Sequence, residues 1–139
     1  MWIGLRSNPT WGGLTSDLRA REDGPVELDE ALTRARRIIA NVQPHYDSGE
    51  EAMAANNFAL SFAWNYYFSF DVHSPTYIDL HYGLPTIRWY TRLLREYTQW
   101  RHFGWNWRTL TSEAEVCRMI ELFFTLPPAE LDATLERER

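Results

Sequence analysis

The chain has 139 residues, with seven each of Trp, Tyr and Phe, and a net charge of −5 from 19 acids against 14 basic residues, every one of them Arg. That length suits one domain, which buries roughly two-thirds of its unfolded surface and folds without help from a metal or a disulfide. The single cysteine, Cys117, excludes an internal disulfide and points to a reducing, cytoplasmic setting, while the acidic balance counts against general nucleic-acid binding.

Residues 1–13 lack the basic-then-apolar order of a signal peptide, and residues 2–6 read as a short strand. Turn chemistry follows at Ser7-Asn8-Pro9-Thr10 and Gly12-Gly13, and Thr15-Ser16-Asp17 could open a helical turn through Arg21. A helix is predicted over 25–43. Pro25 suits its first turn, Leu28, Leu32, Ala35, Ile39 and Val42 share one side, and Pro44 ends it.

Ser48-Gly49-Glu50-Glu51 reads as a capping box that opens a helix over 49–70. Apolar residues run nearly all round that helix, which makes it the expected centre of the core. The run from Phe58 to Phe70 is too short to cross a bilayer and contains Asn65, so no membrane association is expected. Pro75, Gly83 and Pro85 break the pattern, and the alternating stretch 77–82 reads as a strand able to pair with 2–6.

Residues 86–103 give the best helical pattern. Arg88, Arg92, Arg95, Gln99 and His102 fall within about 40° of one line, with Trp89, Leu93, Tyr97 and Trp100 on the other side. Gly104 stops it, and Trp105-Asn106-Trp107 reads as an aromatic loop in which at least one indole faces outward if the segment is extended. A second capping box, Ser112 to Glu115, opens a helix over 113–126, and Pro128 starts a last one over 128–138. The expected fold is therefore mainly α: a compact single-domain bundle of four to five helices over 1–139, with a small two-stranded β element.

The function expected first is a non-enzymatic domain that binds another protein, or a second copy of itself, by occupying its surface. An inhibitor, an immunity protein or a phage-type antagonist of a host system fits that description. Arg88, Arg92 and Arg95, with Gln99 and His102, supply charged and polar contacts, and Trp105 and Trp107 supply anchors, since Arg and Trp are enriched at interface hot spots. Against this stands the ordinary alternative that the arginine row is a solvated face paired with the chain's own acids.

Two other functions are weighed. One is a metal-dependent hydrolase built on Asp71, His73, Asp79 and His81, because carboxylate and imidazole together suit a divalent ion. No helical ligand spacing supports it, and local hydrogen bonding of His73 and Asp79 explains them more simply. The other is nucleic-acid binding through the arginine helix, which ranks below protein binding because of the acidic flanks. No cofactor motif is present, and Cys117 reads as a small buried thiol.

Overall fold

The computed structural model describes residues 8–14, 19–42, 54–85 and 106–138. These form strands β1 (Thr10–Leu14) and β2 (Ala20–Pro25), helix α1 (Leu28–Ala40), strands β3 (Asn57–Ala63), β4 (Tyr66–Ser74), β5 (Tyr77–Gly83) and β6 (Asn106–Leu110), and helices α2 (Glu113–Thr125) and α3 (Pro128–Arg137). The strands make one sheet in the order β2-β1-β3-β4-β5-β6, antiparallel at every pairing. The expected helical bundle is thus corrected to a six-stranded antiparallel sheet with three helices among the described residues.

The decisive difference lies at 57–74. The predicted central helix is instead the hairpin β3–β4, turning at Trp64-Asn65. Phe58, Leu60, Tyr66, Phe68, Phe70 and Val72 all occupy even positions and are all buried. Two residues advance a helix by about 200°, so a period-two pattern drawn on a helical wheel scatters over the whole circumference. On a strand the same residues fall on one side. What reads as an all-round apolar helix is therefore one buried sheet face, continuous in phase through the turn.

That face forms rows across the strands. Trp11, Leu60, Phe68 and Tyr82 lie side by side, as do Phe58, Phe70 and Leu80, and then Val72, Ile78 and Leu110. The helices cover it. Helix α1 buries Ala31, Leu32, Ala35 and Ile39, α2 buries Val116, Met119, Ile120 and Phe123, and α3 buries Leu131 and Leu135, all in one apolar cluster with the strands. The Phe123 ring sits 4.7 Å from that of Phe68, 5.2 Å from Phe62 and 5.3 Å from Tyr66, fixing α2 over β3 and β4. Trp11 stacks on Phe58 at 5.1 Å.

Several local expectations fare differently. The helices predicted over 113–126 and 128–138 are found as α2 and α3, and the one predicted over 25–43 as α1, which opens at Leu28 because Pro25 ends β2. Ser112 caps α2 by accepting from the Glu115 amide at 3.1 Å, while the Glu115 carboxylate takes the Thr111 amide at 2.8 Å, one residue earlier than a reciprocal box requires. Ala20 and Arg21 lie in β2, not in a helical turn. The strand at 77–82 is present as β5, but it pairs with β4 and β6, and its proposed partner 2–6 lies outside the described residues. So do Ser48 to Glu51 and the helix predicted over 86–103.

The edge strand β2 is charged and exposed. Near its end Gly24 has φ +101°, a left-handed conformation that a side chain would strain, and Pro25 follows, which discourages further pairing. No helix of the described residues is long and apolar enough to cross a membrane.

Candidate functional site

With the even positions of β3 and β4 committed to the core, the odd ones form the opposite face, which the three helices leave uncovered. Register fixes its composition. One row runs Gly12, Ala59, Ser69, His81 and Trp107; the next runs Asn57, Asp71, Asp79 and Thr109. His73 and Tyr77 lie beyond them at the far end of the β4–β5 hairpin, their rings 4.6 Å apart. The Asp and His residues singled out in the sequence therefore do come together, on adjacent strands of one face.

Their arrangement is two pairs. His73 Nε2 lies 3.0 Å from Asp79 Oδ2, and His81 Nε2 lies 3.5 Å from Asp71 Oδ2. Asp71 and Asp79 stand directly opposite each other, a placement that costs stability unless each charge finds donors. It does. The buried Asn57 donates its Nδ2 to Asp71 Oδ1 at 2.7 Å and to the Phe70 carbonyl at 3.2 Å, and Thr109 donates its hydroxyl to Asp79 Oδ1 at 3.3 Å. No group of three or more His, Cys, Asp or Glu among the described residues is arranged to hold a metal ion. The local hydrogen-bonding account of His73 and Asp79 fits this geometry, with the bond spanning two strands of a hairpin.

Aromatic side chains border the polar rows. Trp107 is 59% exposed and Tyr77 50% exposed, both on this face, and Trp64 at the β3–β4 turn is 73% exposed. The sequence placed Trp107 in a loop; it stands instead on β6, an edge strand, where alternation turns it outward while Leu110 goes to the core. Towards β1 the face dips into a groove of about 450 Å³, floored by small residues such as Ala59 and Ser61 and flanked by Tyr67 and Trp64. Burial raises the pKa of the Tyr67 hydroxyl above its ordinary value, so it stays protonated.

Of the expected contact residues, Arg88, Arg92, Arg95, Gln99, His102 and Trp105 lie outside the described residues, and Trp107 is placed on the open face. Cys117 is buried against the core, and that burial raises the pKa of its thiol. Asn57, Ser69, Tyr77 and Thr109 were not singled out in the sequence. The alternation of 57–63 and 67–73, with small or hydrogen-bonding side chains at the odd positions, is the signal that contained two of them, Asn57 and Ser69. No family model matches the chain, and neither a curated protein nor a solved structure is significantly similar to it.

Proposed function

We propose that this chain is a non-enzymatic protein-binding domain that acts by occupying a partner's surface with the sheet face that the three described helices leave open. The observation behind this reading is the exposure of Trp107 and Tyr77 on a face whose polar groups are already fixed in position. Large amphipathic rings lose little conformational freedom on contact and supply much of the energy at interface hot spots. Six strands about 4.8 Å apart, each five to nine residues long, give a footprint of roughly 600 Å², somewhat under the ~800 Å² per partner of a standard interface.

Trp107 is thus retained from the contact set read in the sequence, and the arginine row from Arg88 to Arg95 stays an expectation beside it. The separate pairing of the two imidazoles and two carboxylates supports a positioning role for them over hydrolysis. The single cysteine, which rules out an internal disulfide, favours a cytoplasmic setting.

The test is a comparative capture. Wild-type chain and the Trp107→Ala/Tyr77→Ala variant are used as baits in parallel, after circular dichroism has shown the variant folded. A protein retained by the wild type and lost with the variant is the expected result. The same set of proteins on both baits would contradict the reading.

A further inference from the structure

We infer that the sheet face left open by the three described helices takes an arginine-bearing segment of its partner, a guanidinium settling beside Asp71 and Asp79 against the Trp107 ring. This rests on the surface-binding reading above and names the chemistry of what binds there.

Acidic side chains of the strands gather on the open face. Glu22, Asp71 and Asp79 stand on the open side, in register with Gly12, Asn57 and Thr109. The two arginines of the described strands are engaged elsewhere. Arg108 lies opposite Leu80 of the core face and reaches Glu138 at 3.4 Å, and Arg21 pairs with Asp23 at 3.1 Å. Asp71 receives a hydrogen bond from an amide and Asp79 one from a hydroxyl, each has an imidazole nitrogen 3.0–3.5 Å away, and no guanidinium among the described residues lies within ion-pair distance of them.

Acceptor capacity is left over. An ionised carboxylate offers about four lone-pair sites, and the contacts described use about half of them on each Asp. Side-chain exposure of 40% at Asp71 and 19% at Asp79 keeps the carboxylates within reach of a ligand while partly shielding them from solvent, which strengthens a charge-assisted bond. The rings bracket the carboxylates. Tyr77 precedes Asp79 by two positions on β5, and Trp107 precedes Thr109, the cross-strand neighbour of Asp79, by two on β6. A planar guanidinium combines a hydrogen-bonding edge for a carboxylate with a face that stacks on indole or phenol; an ammonium lacks that face. An acidic or phosphorylated segment would meet repulsion from the same two carboxylates.

The experiment is an amide NMR titration of the full chain with a short peptide of alternating glycine and arginine, at about 50 mM salt to limit screening. Matched glycine–lysine and glycine–glutamate peptides serve as comparators. Shifts concentrated at Asn57, Asp71, Asp79, His81 and Trp107, including the indole N–H, are expected, with weaker binding of the lysine peptide and none of the glutamate peptide. Asp71→Asn/Asp79→Asn is expected to weaken binding by about tenfold or more. Glu130→Gln/Glu136→Gln removes the same charge from α3 and is expected to leave the affinity within about twofold.

Equal loss in both double variants, or shifts scattered over the molecule, would reduce the effect to net charge and overturn the proposal. Shifts on this face with the glutamate peptide would overturn the guanidinium chemistry and leave the surface-binding reading standing. No shift on the face with any peptide, together with identical captures by wild type and Trp107→Ala/Tyr77→Ala, would overturn both.

Discussion

Phe123→Ala tests whether α2 is held to the sheet as described. The side chain is fully buried and its ring meets three others, Phe62, Tyr66 and Phe68, at centroid distances of 4.7–5.3 Å. Truncating a buried Phe to Ala costs about 3–5 kcal/mol, and losing several ring pairs places this site towards the upper end. A domain of this size has a total stability of about 7–14 kcal/mol, so the variant should lose a third or more of it. The melting temperature should fall by roughly 12–20 °C, at about 3–5 °C per kcal/mol for a chain of this length. Urea unfolding followed by far-ultraviolet circular dichroism measures the loss, with an unchanged slope confirming that the same surface is exposed. Trp107→Ala is the internal control: the same kind of truncation on the open face should cost less than about 1 kcal/mol. A loss below about 1.5 kcal/mol for Phe123→Ala, or equal losses for the two, would refute the assignment of buried and open faces.

Further expectations concern other parts of the fold. A Cβ at Gly12 would run into the backbone carbonyl oxygen of Arg21 on β2, so Gly12→Ala should destabilise the β1–β2 hairpin by about 1–3 kcal/mol, read from the urea midpoint. The hydrogen bond from Arg118, with burial opposing it and Arg108 adding a smaller share, holds the Glu138 carboxyl below the usual carboxylate range. Its contribution is therefore fully present above the ordinary carboxylate pKa and is lost as pH falls through the lowered native value. Thermal melts of wild type and Glu138→Gln should differ at neutral pH and converge once pH falls below that lowered value; a constant gap would show the ion pair to be inert. Because the imidazoles of His73 and His81 are engaged in separate pairs, zinc or manganese should shift the melting temperature by less than about 1 °C, and a saturable rise would return the metal-dependent reading to favour.

The helices were legible because their signals are local. Leu28, Leu32, Ala35 and Ile39 keep a helical spacing, Ser112 supplies its own cap, and Pro128 opens α3. Strand β5 was legible too, but the β3–β4 hairpin was not, because it turns at Trp64-Asn65 without glycine or proline, and its even positions stay apolar through the turn. Reading 57–63 and 66–74 at period two recovers both strands, both faces and Asn57, Ser69, Asp71 and His73 as one polar set. β6 was hidden for another reason. Five residues, Asn106–Leu110, place only Leu110 fully in the core, and their strand character depends on pairing with β5, which sequence alone does not reveal. The Asp/His pairs were visible as residue types, but their division into two cross-strand pairs depends on the register between β4 and β5.

Hydroxyl-radical footprinting of the isolated chain, resolved by residue, measures most directly whether the side of the sheet away from the helices is free to meet a partner. Rapid modification of Tyr77 and Trp107 is predicted, with Trp11, Phe68 and Tyr82 protected behind α1 and α2. Protection of Tyr77 and Trp107 to the level of Trp11 would mean that this side is closed, and would contradict the account.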